Sequence, residues 1–307
     1  MPLVSSKEWM LKAQKEKFGI GAFNANNMEF IEAIVEVAEE MQAPVIIQVS
    51  QGAIKYAGLE MATEMVKAAA ALASVPVVLH LDHGTDYLQN VKCLRAGFSS
   101  LMFDGSALSL EDNIKMTAKI SEMSHACNIP VEAELGKVLQ IGDNNSAETI
   151  EKAMTQPDEA VNFVTKTKID SLAVAIGSGH AMKDRTAKLD IPRLKKIRAA
   201  LQAANCDIPL VLHGSSGVDP ESIKEGIANG LCKINVATQL SVSFVKAIGE
   251  AYNKNPNEKD MRKILLPGKN AVKDRVREYM GFFGCKGKGI IAGAKSGIQS
   301  SEIKHHE

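Results

Sequence analysis

The fold of this chain is decided by Val75-Pro76-Val77-Val78-Leu79-His80-Leu81-Asp82-His83-Gly84, a run of aliphatic residues that ends in a polar cluster and a glycine. Such a run is typical of a buried parallel strand, with its polar side chains at the C-terminal end. A single His-x-Asp-His pattern is equally consistent with a tight turn whose polar groups are hydrogen-bonded. Its interpretation therefore depends on the other strands.

The same pattern recurs along the chain. Eight short aliphatic runs alternate with stretches in which apolar residues recur at helical spacing. The predicted strands are residues 19–24, 44–50, 75–82, 100–104, 130–134, 171–177, 209–213 and 232–235. The predicted helices between them include residues 28–42, 60–73, 86–96, 110–127, 157–167, 191–204 and 220–229.

This alternation indicates an α/β fold. Strands that alternate strictly with helices are parallel and joined by crossover connections. Eight strands favour a closed (β/α)8 TIM barrel over an open doubly wound sheet, and no Gly-x-Gly-x-x-Gly motif follows the first strand. The 307 residues allow one domain or two, but barrels of about 250 residues are single domains. The sequence therefore predicts a single-domain TIM barrel.

Composition and charge limit the partners of the protein. The 36 basic and 36 acidic residues cancel without a long run of one sign, which argues against nucleic-acid and membrane-surface binding. The N-terminus lacks the apolar core of a signal peptide, and no apolar run approaches the length of a membrane span. Five scattered cysteines without Cys-x-x-Cys spacing are typical of reduced thiols. We expect a cytoplasmic protein.

Polar residues stand at the C-terminal end of every predicted strand. That end of a TIM barrel is the face on which active sites are built. In chain order, these residues are Asn24, Ser50, Asp82 with His83, Asp104, Glu134, His180, His213, and Asn235 followed by Thr238.

Three of the seven histidines belong to this set. His83, His180 and His213 follow the third, sixth and seventh strands, and three converging imidazoles match a zinc site with one open coordination position. A lone histidine at a strand end is more often structural, but the set of three favours the metal site. His80 lies two residues before Asp82 on the same strand, so the two side chains point to the same side of the sheet. We therefore expect His80 in the barrel core and not as a metal ligand.

Two glycine- or hydroxyl-containing turns suggest a phosphate site. The turns are His213-Gly214-Ser215-Ser216-Gly217 and Asn235-Val236-Ala237-Thr238, and they follow the seventh and eighth strands. TIM barrels commonly bind phosphate there, through backbone N–H groups and small hydroxyls. Glycine and serine also form ordinary tight turns, and loop chemistry alone favours the two interpretations equally.

The motifs at these strand ends resemble those of a known family. They are Asp82-His83-Gly84, Val131-Glu132-Ala133-Glu134-Leu135-Gly136, Ala175-Ile176-Gly177 before His180, Leu210-Val211-Leu212-His213-Gly214 and Lys233-Ile234-Asn235-Val236. Together they resemble the class II, zinc-dependent fructose- and tagatose-bisphosphate aldolases. The resemblance runs from the first strand to Gly284-Cys285-Lys286-Gly287-Lys288, so it implies an aldolase domain over residues 1–288 and a flexible C-terminal tail over residues 289–307.

The resemblance implies a lyase of glycolysis and gluconeogenesis. Such an enzyme reversibly cleaves fructose 1,6-bisphosphate to dihydroxyacetone phosphate and glyceraldehyde 3-phosphate through a zinc-stabilised enediolate. Matched positions imply that His83, His180 and His213 bind zinc and that Glu134 and Asp104 line an alternative metal position. The family forms dimers and tetramers, so a homodimer or homotetramer is expected.

Further roles are implied position by position. Asp82 matches the acid/base at the C4 oxygen of the bond that is made or broken. Asn24 and Ser50 match substrate contacts, and four residues match the cradle of the dihydroxyacetone phosphate end: Gly214, Ser216, Asn235 and Thr238. Arg262, followed by Lys263, matches a region that binds the second phosphate, across a subunit interface. A solvated basic turn is an equally favoured interpretation there.

Three departures from the family pattern bear on activity. In the family, a glutamate of a mobile loop moves the proton of the dihydroxyacetone carbon, and this chain lacks that glutamate in the stretch around Asp143. Either Asp143 or Glu148 takes over this step, or turnover is slow. Ala181 replaces a glycine and adds a Cβ where the backbone approaches the phosphate or a monovalent cation. Ala237 is typical of the tagatose-bisphosphate branch.

These departures keep alternatives open. Tagatose 1,6-bisphosphate, the C4 epimer of the fructose substrate, is the first alternative substrate. A zinc hydrolase on the same barrel and a non-catalytic relative are less favoured.

Overall fold

Eight parallel strands form a barrel in the computed structural model of this chain, which describes residues 3–140, 147–180 and 185–290. The barrel strands are β1 (Ile20–Asn24), β2 (Val45–Ser50), β3 (Val77–Asp82), β4 (Leu101–Phe103), β5 (Val131–Leu135), β7 (Ser171–Val174), β9 (Leu210–Leu212) and β10 (Leu231–Val236). Two further short strands, β6 (Leu139–Gln140) and β8 (Gly179–His180), pair with each other above the barrel wall.

The strands are ordered β3, β2, β1, β10, β9, β7, β5 and β4 around the sheet, and every neighbouring pair is parallel. Parallel bridges between His80 and Ser100 and between Gly84 and Phe103 join β3 to β4. These bridges connect the two ends of the sheet into a ring. The prediction of an α/β fold, a (β/α)8 TIM barrel, is confirmed.

The observed strand boundaries differ from the predicted ones by a few residues. The runs that were predicted to start at Pro44, Pro130 and Pro209 start one residue later, because proline has no N–H for the sheet ladder. The sixth predicted strand, β7 in the structure, ends at Val174 and does not reach Gly177, where a φ of 99° turns the backbone out of the extended region.

Helices cover the outside of the barrel. In the described ranges they are α1 (Ser6–Glu16), α2 (Met28–Met41), α3 (Gln51–Ala57), α4 (Leu59–Leu72), α5 (Tyr87–Ala96), α6 (Leu110–His125), α7 (Ala147–Ala153), α8 (Pro157–Thr167), α9 (Ile191–Ala203), α10 (Pro220–Ala228), α11 (Thr238–Lys254) and α12 (Met261–Phe283). Side-chain N-caps begin several of them, for example Asp86, Ser109 and Asp190. The apolar core lies between these helices and the strands.

The N-terminal end of the barrel is fixed by the first residues of the chain and by Asp170. The Val4 N–H donates to the Val77 carbonyl at 3.0 Å. Asp170 accepts from His125 Nε2 at 2.7 Å and from the Val131 N–H at 2.9 Å, and it pairs with Lys7 at 2.8 Å. This face therefore contributes to stability, on the side opposite the strand ends that carry the candidate site.

The last two helices are held differently from each other. Helix α12 is joined to α2 by a ladder of ion pairs between three glutamates and three basic residues: Glu32, Glu36, Glu40, Lys269, Lys273 and Arg277. Helix α11 packs on α12 but buries only Leu240 fully within the single chain. Its apolar side chains Val242, Val245 and Tyr252 are more than half exposed.

The predicted tail begins in a packed position. The Gly289 N–H donates to the Gln42 carbonyl at 2.8 Å, and the Lys288 ammonium pairs with Glu16 at 3.0 Å. Residues 291–307 lie outside the described residues, so the flexible tail stays a prediction. None of the helices in the described ranges combines the length and the apolar composition that a bilayer crossing needs.

Candidate metal centre and substrate site

Three of the predicted metal-binding side chains meet at the C-terminal mouth of the barrel. One ligand atom from each of His83, Glu134 and His213 lies within 4.8 Å of the others. The rings of His83 and His213 stand edge to face, with centroids 4.8 Å apart. These residues come from the ends of β3, β5 and β9, so the parallel barrel brings together residues that are far apart in sequence.

His83 occupies an unusual backbone position. Its φ is 51°, in the left-handed region that costs a non-glycine residue about 1–2 kcal/mol. The Gln51 side chain donates to its carbonyl at 2.5 Å and to Thr85 Oγ1 at 3.0 Å. On the ring, Nδ1 is 2.7 Å from Asp104 Oδ2. Backbone and ring are therefore both fixed from outside the cluster, as is typical of metal-binding histidines.

His213 and Glu134 each present a buried atom that makes no hydrogen bond to a described residue. Both side chains are at most 2% exposed. His213 Nδ1 and Glu134 Oε2 are 3.2 Å apart, and neither has a hydrogen-bond partner among the described residues. Because a buried polar atom without a partner is costly, the pair indicates that a further group binds there. Imidazole nitrogen and carboxylate oxygen are both zinc ligands, so these residues fit that metal.

The other side of His213 faces a buried ion pair. His213 Nε2 donates to Glu132 Oε1 at 2.9 Å, which places the proton on Nε2. The lone pair of Nδ1 is then available to bind a metal ion. Lys233 Nζ is 2.9 Å from both oxygens of Glu132, and both side chains are at most 2% exposed. Burial would raise the pKa of Glu132, but the charge of Lys233 and the hydrogen bond from His213 hold it well below its usual range.

The carboxylates give the cluster an environment that favours positive charge. Burial would lower the pKa of His83, but Asp82, Asp104 and Glu134 raise it to about 10. Burial likewise opposes protonation of His213, yet Glu132 and Glu134 raise its pKa above the usual value. Below the cluster, burial and the charge of Lys233 lower the pKa of His80 to about 3. His80 is 1% exposed, in the barrel interior where it was expected.

Asp82 is oriented by three amide side chains. Asn24 Nδ2 donates to Asp82 Oδ2 at 2.7 Å, and Asn235 Nδ2 lies 3.4 Å from Oδ1. Gln48 Nε2 in turn donates to Asn24 Oδ1 at 3.0 Å, which fixes the orientation of that amide. Burial would raise the pKa of Asp82, but the charges of His83, His213 and Lys233 lower it. The carboxylate is therefore ionised and directed into the mouth of the barrel.

The turn after β9 is shaped by a glycine. Gly214 has a φ of 63°, and an added Cβ would lie 2.8 Å from the backbone of Gly179. The following 3-10 turn (Ser215–Gly217) is buried, and Ser215 Oγ donates to the Asn235 carbonyl. Thr238 is the first residue of α11, so the N–H groups of that helix begin beside this turn. Two sets of backbone donors of this kind favour an anion.

The other predicted residues are not part of the metal cluster, and some lie outside the described ranges. Ser50 is in register with Asp82 on the neighbouring strand, and its Oγ caps α3 by accepting from the Ala53 N–H at 3.2 Å. The Arg262 side chain is 86% exposed and pairs with Asp260 at 2.9 Å, on the surface at the start of α12. The backbone of His180 pairs with Gln140 between β8 and β6. The His180 side chain, Asp143 and Ala181 are not among the parts of the chain that the structure describes.

The analysis of strand ends missed three buried polar residues that support the site. Glu132, Lys233 and Gln48 each lie two residues before a predicted site residue, namely Glu134, Asn235 and Ser50. Side chains two apart on a strand point to the same side of the sheet. The parity that placed His80 in the barrel interior could therefore have identified all three.

Comparison with known proteins agrees with this geometry. The family model described as "Fructose-bisphosphate aldolase class-II" matches residues 4–288. A fructose-bisphosphate aldolase of Thermus caldophilus is 41% identical over 93% of this chain and 99% of the relative. The D-tagatose-1,6-bisphosphate aldolase subunit GatY of Klebsiella oxytoca is 35% identical over 94% of this chain and 100% of the relative.

A solved structure gives the same result. The crystal structure of the YdjI aldolase from Escherichia coli K12 aligns with a TM-score of 0.80 and 34% identity, over 94% of this chain and 100% of that one. The matches cover nearly the whole length of the chain and include the strands that carry the cluster. The chain therefore belongs to the class-II fructose-bisphosphate aldolase family and is a lyase.

Proposed function

We propose that this aldolase uses zinc to cleave fructose 1,6-bisphosphate reversibly into dihydroxyacetone phosphate and glyceraldehyde 3-phosphate. The observation that carries the proposal is the pair of buried atoms without a partner, His213 Nδ1 and Glu134 Oε2, beside His83. The ionised Asp82 lies beside His83, with its Oδ1 3.9 Å from His83 Nε2. Metal ligands and a proton-transfer group are thus adjacent at the catalytic face of the barrel.

Three histidines hold the metal in this proposal. His83 and His213 supply two ligands, and His180, at the end of β8, supplies the third. Glu134 and Asp104 line a second metal position, which Glu134 Oε2 supports because it is buried beside His213 without a partner. When bound, zinc supplies Lewis-acid stabilisation of the negative charge that develops on the dihydroxyacetone phosphate half during cleavage.

Asp82 moves the proton at the C4 oxygen. In cleavage it takes the proton from the C4 hydroxyl as the C3–C4 bond breaks, and in condensation it returns that proton to the new hydroxyl. Its lowered pKa keeps it in the basic form that cleavage needs. Asn24 and Asn235 hold the carboxylate in place, and Asn24 and Ser50 also contact the substrate.

A second carboxyl group moves the proton of the dihydroxyacetone carbon. We assign this step to Asp143, with Glu148 as the other carboxyl group in the same stretch. Glu148 is exposed and pairs with Lys152 at 2.6 Å. Exchange of the carbon-bound proton of dihydroxyacetone phosphate with solvent, measured in Asp143→Ala and Glu148→Ala, distinguishes the two residues.

Backbone and small side chains bind the phosphate of the dihydroxyacetone end. Gly214 and Ser216 belong to the buried turn, and Thr238 begins α11, so their N–H groups and hydroxyls suit an anion. Asn235 lies beside this cradle, and its Oδ1, buried and without a hydrogen bond among the described residues, suits a hydroxyl donor of the dihydroxyacetone end. A monovalent cation beside the phosphate balances part of its charge.

The second phosphate and the oligomeric state are proposed together. Arg262 is exposed in the single chain, so it is available to a substrate bound in a neighbouring subunit. The exposed apolar residues of α11, Val242, Val245 and Tyr252, support a homodimer or homotetramer that covers this helix. All five cysteines are free, which supports a cytoplasmic location. The proposed reaction would place the protein in glycolysis and gluconeogenesis.

Tagatose 1,6-bisphosphate is the second candidate substrate. Ala237 stands at the N-cap of α11 without a side-chain hydrogen bond, beside the cradle. An aspartate at this position, as in many fructose-specific relatives, would add a charge and an acceptor there.

Parallel initial rates on the two epimers test the proposal. Release of dihydroxyacetone phosphate is measured after treatment with chelator and again after zinc is restored. We expect zinc-dependent cleavage with a higher rate on the fructose substrate. A higher rate on the tagatose substrate would assign the protein to the second candidate, and cleavage of neither with zinc bound would reject both.

A further inference from the structure

Residues 185–190 are hydrogen-bonded to the last residue of the turn at residues 214–217 and to the segment that follows it, up to Ser222. The Ala187 N–H donates to the Gly217 carbonyl at 3.0 Å, and the Ala187 carbonyl accepts from the Asp219 N–H at 2.9 Å. A parallel bridge joins Ala187 to Val218, and the Leu189 N–H donates to Ser222 Oγ at 2.9 Å. The two segments therefore form one backbone-paired unit, and a shift of one shifts the other.

Arg185 joins this unit to helix α12. Its Nη1 donates to Glu278 Oε1 at 2.6 Å and its Nη2 to Oε2 at 3.3 Å, across 93 residues of sequence. The Arg185 side chain is 19% exposed. A two-pronged guanidinium–carboxylate contact fixes direction as well as distance, which a lysine cannot do.

Aromatic residues of α12 complete the contact. The Arg185 guanidinium lies 4.6 Å from the ring centroid of Tyr279 and 5.8 Å from that of Phe282. Tyr279 is fully buried, and its hydroxyl lies 3.5 Å from the Ser216 carbonyl in the same turn. Arg185 therefore packs on the side chain that supports the turn from behind.

Glu278 is in turn fixed by a second arginine. Arg275 Nη1 donates to Glu278 Oε2 at 2.6 Å, and Arg275 Nε donates to Ser243 Oγ on α11 at 3.2 Å. Burial would raise the pKa of Glu278, but the hydrogen bonds from the two arginines lower it. The acceptor of Arg185 is thus ionised and held between both C-terminal helices.

We propose that Arg185 is a positioning residue that, through its pair with Glu278, fixes the turn at residues 214–217 for the phosphate of the substrate. The inference rests on the proposed function, because that function assigns the turn to the phosphate. Arg185 does not contact the reacting atoms in this account. It sets the position of the Gly214 and Ser216 backbone that binds the anion.

Arg185→Gln tests the inference, with inorganic phosphate as the probe. Phosphate binding is measured by calorimetry on the zinc-loaded protein, and the KM for dihydroxyacetone phosphate is measured in the condensation direction. We expect the phosphate Kd and this KM to rise about tenfold, with kcat changed less than about threefold, because displaced donors weaken anion binding more than chemistry. Glu278→Gln should give the same result from the other side of the pair, and it carries the test if Arg185→Gln does not fold.

Arg277→Gln is the matched control. Arg277 is on the same helix and pairs with Glu40 at 2.7 Å, but this pair lies on the exposed α2 face. We expect this control to lower Tm less than Arg185→Gln does, because the pair is more exposed, and to leave phosphate binding unchanged.

The outcomes separate this inference from the proposed function. Unchanged phosphate binding in both Arg185→Gln and Glu278→Gln, or a wild-type protein that binds no phosphate, would overturn the inference. A loss of Tm without any loss of phosphate affinity would also overturn it. Weaker phosphate binding in the variants of a protein that cleaves neither epimer would uphold the inference and reject the proposed function.

Discussion

Lys233→Met should destabilise the protein strongly, because it removes the cation from a buried ion pair. Lys233 is fully buried inside the barrel, and Nζ is 2.9 Å from both oxygens of Glu132, which is 2% exposed. Methionine fills nearly the same volume, so the main effect is that Glu132 loses its charged partner. Removing one partner of a buried pair costs about 3–5 kcal/mol. Glu132 keeps the hydrogen bond from His213, so we expect about 3 kcal/mol.

The same substitution should weaken zinc binding. Glu132 holds the ring of His213 through Nε2, and it is itself held by Lys233. Loss of a partner behind a metal-binding histidine typically lowers metal affinity about 10- to 100-fold. Chelator competition measures this change, and urea unfolding followed by circular dichroism measures the stability of the metal-free protein.

Two comparisons make this prediction specific. Lys67→Met removes a partly exposed lysine that pairs with the exposed Glu64 at 2.8 Å and donates to the Ala96 carbonyl at 2.8 Å, and it should cost only about 1 kcal/mol. The double variant Lys233→Met with Glu132→Gln removes both charges and keeps an acceptor for His213, so it should recover part of the lost stability. If Lys233→Met is as stable as Lys67→Met, the argument that this buried pair is ionised is wrong.

Three further predictions follow from other parts of the molecule. Gly214→Ala should raise the KM for dihydroxyacetone phosphate and lower the free energy of unfolding by at least about 1–2 kcal/mol, because the residue has a φ of 63° and the added Cβ would contact the Gly179 backbone. The control Gly249→Ala adds a Cβ in α11 with nothing within 4 Å, so it should be neutral or stabilising in the same assays. Asp82→Ala should keep zinc, measured by metal analysis, and lose about 100-fold or more in cleavage rate; retained turnover would remove Asp82 from the mechanism. Burial would raise the pKa of Asp170, but the hydrogen bonds from Lys7 and two other donors lower it below its usual value. Asp170 therefore stabilises the fold at pH values above its unfolded pKa, and this stabilisation is lost as the pH falls through the lower folded pKa. Asp170→Asn should therefore cost about 1–3 kcal/mol at pH 7 by urea unfolding, and the difference from wild type should shrink below about pH 4; a difference that grows there would contradict this sign.

Local patterns in the sequence were sufficient to predict the barrel. Each strand is a short aliphatic run with a polar end, and strict alternation with helices leaves parallel pairing as the natural arrangement. Boundaries changed where one residue decides them, such as Pro44 without an N–H and Gly177 with a positive φ. The same pattern predicts that His83, Glu134 and His213 lie on one face of the barrel, as they do.

Other features depend on contacts that no local pattern specifies. The Arg185 to Glu278 pair spans 93 residues, and either side chain alone resembles an ordinary surface charge. The hydrogen bonds from Gln48 to Asn24 and from Asn24 to Asp82 depend on strand register, which determines the side chains that face each other across β1, β2 and β3. The positive φ of His83 likewise follows from its surroundings, because non-glycine residues, histidine included, adopt it uncommonly and no local pattern singles out this position.

A zinc titration of metal-stripped protein, with bound zinc and release of dihydroxyacetone phosphate from fructose 1,6-bisphosphate recorded in the same samples, tests the central claim most directly. The account predicts no cleavage without metal and a rate that rises to its maximum at about one zinc ion per chain. It also predicts that His213→Ala remains inactive at that ratio and binds zinc more weakly. Full cleavage by wild-type protein shown to contain no metal, or by His213→Ala, would contradict it.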